Sequence, residues 1–233
     1  MSSGYRLRSG DTGPIQQSPV TCGSACLTVA RMLVNPAFAR WITTGEGPRG
    51  DAPAGATEEE RFAAYERVVM RRTNRLYAGG RRLNVPWPRA LGTPPWGARK
   101  ELEFGASRRG TDYELEVVRQ RTRGGLRRAH ARLVEVVADG EPALLYIGSR
   151  TLPRHVTLVL PGDGDRLLDV YDPASGQVRA LDEERFADRA LEIAGWDVPW
   201  ITVQPNGTRR AQAFGFSTGI SSASRTSGVS ASA

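Results

Sequence analysis

Two cysteines, two histidines and one aspartate are the side chains of this chain best placed for nucleophilic chemistry: Cys22 and Cys26, His130 and His155, and Asp172. In Cys22-Gly-Ser-Ala-Cys26 the sulfurs fall about one turn apart on one helical face. Their side chains then run roughly parallel, which works against a mutual disulfide. Cys-x3-Cys has no second cysteine pair, and both histidines lie more than a hundred residues away, so zinc spacing is missing and no metal or other cofactor is expected. A cysteine where a loop feeds a helix N-terminus gains from the positive end of the dipole, which favours the thiolate. Cys22 holds that position and Cys26 does not. Gly23 leaves the approach to the sulfur open on one side, and Gln16 or Gln17 can set a side-chain amide beside the Cys22 backbone N–H to hold an oxyanion.

A thiolate also needs a base that later serves as an acid. His130 lies inside an amphipathic pattern without a partner among its neighbours and reads as a helix residue. His155 opens a strand after Thr151-Leu-Pro-Arg154, either as an exposed strand end or as a base at the sheet edge. An orienting third group is supplied by Tyr171-Asp172-Pro173 at the end of the next strand. Antiparallel neighbours joined around Gly162–Gly164 bring the start of one strand beside the end of the other, where His155 and Asp172 meet. Asp169 competes, but three residues back along the strand it points to the opposite face.

The elements that must position these residues are legible as patterns. Ala25, Cys26, Val29, Met32 and Leu33 repeat at helical spacing until Asn35-Pro36 stops them. Residues 44–56 are a Gly/Pro-rich loop. Thr57-Glu-Glu-Glu60 is a capping box for a helix with Phe62, Tyr65, Val69 and Leu76 on one stripe, and Arg71, Arg72 and Arg75 form its solvated basic end. Residues 84–97, with four prolines and two tryptophans, exclude a regular element until Thr93, which is expected to N-cap a short helix through about Glu103; Trp87 and Trp96 read as packing anchors. A strand at Tyr113–Val118 and a helix at Leu126–Asp139 follow. The period then changes to two, giving strands at 143–147, 155–160, 167–171 and 200–203. Helices followed by an antiparallel sheet make an α+β chain: a flexible lead-in over 1–14, one domain over 15–204, and a disordered Ser/Ala/Gly-rich tail over 205–233.

The composition, 39% apolar and 24% charged over 233 residues, allows one enzyme-sized core. No run approaches the ~18 apolar residues of a membrane span, and the N-terminus lacks the apolar core of a signal peptide. A cytoplasmic protein without a membrane span is expected. The net charge of +7 comes from a basic set that is Arg apart from Lys100, and no nucleic-acid module is recognisable. Nucleic acid is therefore not an expected partner.

Taken in order, Gln16-x5-Cys22-Gly-x-Ala-Cys26-Leu, then His155-Val-Thr-Leu-Val, then Tyr171-Asp172-Pro173-Ala-x-Gly176, resembles the bacteriocin-processing (double-glycine leader) peptidases of the papain clan. The resemblance implies a papain-like fold in which an N-terminal helical part carries the nucleophile helix against a C-terminal antiparallel sheet. It implies Cys22 as nucleophile, His155 as acid and base, Asp172 as its orienting partner and Gln16 as oxyanion donor; Cys26 matches a second, non-catalytic cysteine of some members. Thr21 stands where that family usually has an acid. The 133 residues from Cys22 to His155 exceed the family's usual interval and point to an insertion about 44–90. No transporter module is present, so what transfers is fold and thiol chemistry. The expected function is a cysteine peptidase or related amide hydrolase acting on a peptide or protein. The alternatives are an acyl transferase or deamidase of the same fold, or an inactive peptide-binding module.

Overall fold

The computed structural model describes residues 4–47, 55–74, 77–78, 82–83, 87–88, 92–108, 110–162 and 167–209. In chain order the elements are α1 (Cys22–Val34), α2 (Pro36–Thr44), α3 (Glu58–Thr73), β1 (Tyr77–Ala78), β2 (Arg82–Leu83), α4 (Pro95–Glu101) running into a π-helical turn (Leu102–Ala106), β3 (Thr111–Val117), α5 (Arg123–Val137), β4 (Ala143–Gly148), β5 (Pro153–Val159), β6 (Leu168–Tyr171), β7 (Val178–Leu181), α6 (Glu183–Ala187) and β8 (Val198–Arg209). β3 to β8 form one antiparallel sheet in the order β3-β8-β4-β5-β6-β7. Mixed helix and antiparallel sheet is the α+β class expected.

Strand alternation divides the core in two. Leu144, Tyr146, Val156, Leu158 and Tyr171 face α1 to α4, whereas Leu145, Ile147, Val159 and Val170 face α5 and α6. Burying a side chain such as Leu27 or Leu133 contributes about 1.5–3 kcal/mol, so both faces of the sheet are anchored. α1 packs directly on β5, where the Cys26 thiol donates to the Val156 carbonyl at 3.4 Å. That contact sets the nucleophile helix against the histidine strand.

Several local signals act differently from their sequence reading. Asn35-Pro36 ends α1 but also starts α2: the Asn35 side chain accepts from the Phe38 N–H at 3.0 Å, and Pro36 occupies the first turn, where its missing N–H costs nothing. The capping box forms as read, with Thr57 and Glu60 bonding reciprocally. Arg75 and Leu76 lie outside the described residues, as do parts of the 44–56 loop, of the 84–97 segment and of the turn after Gly162. Thr93 does not cap α4, which begins at Pro95 with Pro94 at its N-cap; its hydroxyl pairs with Ser24 instead, at 3.3 Å. β7 and α6 are additional elements. The lead-in is tied down: Gly10 N–H donates to Val178 O (3.0 Å) and Gly13 N–H to Gly176 O (2.7 Å). β8 continues past 204 to Arg209, pairing Pro205 with Tyr113. Its pairing with β4 has ended by Val203, so the missing proline N–H leaves no ladder bond broken on that side. The remaining tail, 210–233, lies outside the described residues.

Candidate active site

Cys22 is the first residue of α1, and no side chain caps the helix. Thr21, at the N-cap, turns its hydroxyl backward, accepting from the Ser18 N–H (3.1 Å) and donating to the Ser18 carbonyl (2.9 Å). The first-turn N–H groups of α1 are thereby left without a side-chain acceptor, the arrangement that suits a helix end to an anion.

His155 and Asp172 arrive from adjacent antiparallel strands, β5 and the end of β6, whose register pairs Leu158 with Tyr171. The imidazole Nε2 lies 2.7 Å from Asp172 Oδ1. Cys22 is among the groups that raise the basicity of the ring, and with Nε2 engaged by Asp172, Nδ1 is the nitrogen left for the sulfur. Both His155 and Asp172 are only 6% exposed. Burial works against a charged ring, yet the Asp172 bond and then Cys22 outweigh it and hold His155 up at about 9. Burial likewise pushes Asp172 upward, but bonds from His155, Ser175 and the Ala174 N–H carry it below the usual carboxylate range. Asp172 Oδ1 accepts from Ala174 N–H at 2.9 Å in an Asx turn, and Oδ2 accepts from the Ser175 hydroxyl at 2.8 Å. The orienting carboxylate is itself oriented.

Gln16 is anchored to the same turn, its N–H donating to the Pro173 carbonyl at 2.8 Å. Its Oε1 is buried without a hydrogen-bond partner among the described residues. Buried polar atoms are usually satisfied; this oxygen is an acceptor that lacks a donor, whereas an oxyanion would be held by the amide's N–H groups. A cleft of about 700 Å³ opens beside Gln16, lined by Tyr5, Leu7, Ile15 and Phe62 among others.

Gly23 does not leave the sulfur open. A Cβ there would meet Thr93 Cβ at 2.6 Å, so the position is glycine because the Thr93 segment packs onto the first turn of α1. The Thr93 carbonyl is fixed in turn by the Tyr146 hydroxyl at 3.0 Å. Gly92 has a positive φ of 72°, and a Cβ on it would come within 3.1 Å of Val20 O and 3.6 Å of Cys22 Sγ. Cys22 is 2% exposed.

The other candidates separate from this group. His130 Nε2 lies 3.2 Å from the Leu181 carbonyl and its ring packs edge-on against Phe186; burial holds it below the ordinary histidine value. Cys26 is fully buried, its thiol pushed well up by burial and then by Cys22. Both cysteines are free. Asp169 pairs in register with Ala180 of β7. Trp87 and Trp96 stack edge-on at 5.4 Å, a packing role as read. Sequence reasoning passed over Ser175, although Asp-x-x-Ser after a strand is a turn signal, and over Glu66, which has no local signal at all. Among the described residues, no group of three or more metal-ligating side chains occurs and no helix is long and apolar enough to cross a membrane.

No family model and no curated protein matches the chain. Among solved structures it is similar to the peptidase domain of Streptococcus ComA, a bifunctional ABC transporter involved in a quorum-sensing pathway, at 14% identity over 83% of this chain and 98% of that domain, with a TM-score of 0.38.

Proposed function

We propose that the protein is a cysteine peptidase or related amide hydrolase acting on a peptide or protein, with Cys22 as nucleophile, His155 as acid and base, Asp172 as orienter and Gln16 as oxyanion donor. The observation that carries the reading is the buried imidazole bonded to Asp172 at 2.7 Å on the strand against which α1 sets its first residue, Cys22. In the reaction the proton that Cys22 gives up is the one held on His155 Nδ1, and the sulfur bonds to the substrate carbonyl carbon. The carbonyl oxygen becomes an oxyanion held by the Gln16 amide and the Cys22 N–H. Collapse breaks the C–N bond as His155 protonates the leaving amine. Water then gives a proton to the ring and its oxygen to the thioester, releasing a carboxylic acid and restoring Cys22.

The 2% exposure of Cys22 favours, as a second reading, a peptide-binding module in which the sulfur does no chemistry. Exposure of the protein to p-nitrophenyl acetate separates the two. An acetyl adduct on Cys22, with a burst of p-nitrophenolate that Cys22→Ala and His155→Ala both abolish, supports the hydrolase. A protein whose Cys22 stays unmodified is the binding module.

A further inference from the structure

Glu66 is 0% exposed, and from α3 its carboxylate faces the loop that leads into Cys22. Its two oxygens share the Gln17 N–H at 3.3 and 3.2 Å. Gln17 directly follows Gln16. One buried group thus holds the stretch between the candidate oxyanion amide and the candidate nucleophile at the residue next to Gln16. A carboxylate is costly to bury unless its hydrogen bonds are worth keeping.

The seat of α3 does not depend on this group. Tyr65 packs its ring on Phe38 with centroids 4.6 Å apart and on Trp41 at 6.5 Å. Arg61 donates to the Ile42 and Thr43 carbonyls at 2.8 and 3.0 Å, closing α3 onto the end of α2. With α3 held by these neighbours, Glu66 is a fixed point against which the loop is set.

We propose that Glu66 is a positioning residue of the candidate active site: by holding the Gln17 N–H it sets the neighbouring Gln16 amide relative to Cys22, which makes α3 a part of the oxyanion arm. This rests on the cysteine-hydrolase reading. The inserted helix is then more than a filler of the long interval between nucleophile and base.

Two reactions of the same sulfur test it. Iodoacetamide is attacked at a saturated carbon: the S–C bond forms, iodide leaves and no oxyanion arises. Acetylation by p-nitrophenyl acetate passes through a tetrahedral oxyanion before p-nitrophenolate leaves. Both rates are read at Cys22 by mass spectrometry in the full chain, with Cys26 labelling as the report of unfolding. Loss of one oxyanion donor costs ~10²–10³ in rate, so Glu66→Ala is expected to slow acetylation about tenfold to a hundredfold. Alkylation of Cys22 stays within about twofold of wild type. Glu66→Gln, which keeps an oxygen for the Gln17 N–H, stays close to wild type; if Glu66→Ala unfolds, Glu66→Met, which fills the space without an acceptor, takes its place and is expected to slow acetylation alike. Gln16→Ala combined with Glu66→Ala loses no more than the worse single variant, because both act through one amide.

Equal slowing of both reactions, losses that add in the double variant, or wild-type acetylation untouched by Glu66→Ala each overturns the proposal while leaving the hydrolase reading intact. A wild-type Cys22 that is not acetylated removes that reading and the proposal with it.

Discussion

Replacing Asp172 by Asn removes the charge that holds His155 protonated while keeping the size of the side chain. Burial is then opposed only by Cys22, and the His155 midpoint is expected to fall from about 9 to the ordinary 6.5 or below. At ~1.4 kcal/mol per pH unit, the interval from 6.5 to about 9 corresponds to about 3 kcal/mol. The ring is more basic in the folded than in the unfolded chain, so its contribution to stability is present in full below pH 6.5 and is lost as pH rises through about 9. Asp172→Asn should therefore lose about 3 kcal/mol at pH 6, with the imidazole share of that loss gone by about pH 10. Urea unfolding across pH measures the energy. Histidine ring NMR measures the cause, because the chain has only two histidines and His130 titrates below the ordinary value. A wild-type His155 midpoint near 6.5, or one that stays near 9 in Asp172→Asn, would refute the pairing.

Ser175→Ala removes the hydroxyl donor to Asp172 Oδ2; a loss of about 1 kcal/mol is expected from urea unfolding midpoints, with an unchanged slope. Gly23→Ala drives a Cβ to 2.6 Å from Thr93 Cβ, so a loss of about 1–3 kcal/mol is expected, partly recovered by adding Thr93→Gly. If Gly23→Ala melts like wild type, the Thr93 segment does not sit on α1 as described.

The pairing of His155 with Asp172 was legible because antiparallel strands joined by a short connection fix which ends meet, and a period of two marks both strands. α1 was equally legible from its helical spacing. α2 was not, since Asn35-Pro36 is at once a good stop and a good start, and only the packing of Phe38 and Trp41 against Tyr65 shows which it is. β7 follows the turn that holds Asp172, and its residues 179 and 180 are exposed, so its apolar pattern is too sparse to read. Gly23 misled for a related reason: a missing side chain looks like open space until the partner, Thr93, 70 positions on, is in place. Glu66 meets Gln17 across 49 positions. Its role belongs to the packing of α3 and leaves no motif behind.

The measurement closest to the nucleophile is the pH dependence of iodoacetamide alkylation at Cys22 and Cys26, read separately by mass spectrometry in wild type and His155→Ala. With His155 as its base, Cys22 is expected to be alkylated with a pH profile that His155→Ala changes, while Cys26, buried and bonded to Val156 O, stays unlabelled. A Cys22 that is alkylated equally well, with the same pH profile, in both proteins contradicts the assignment of Cys22 and His155 as a catalytic pair.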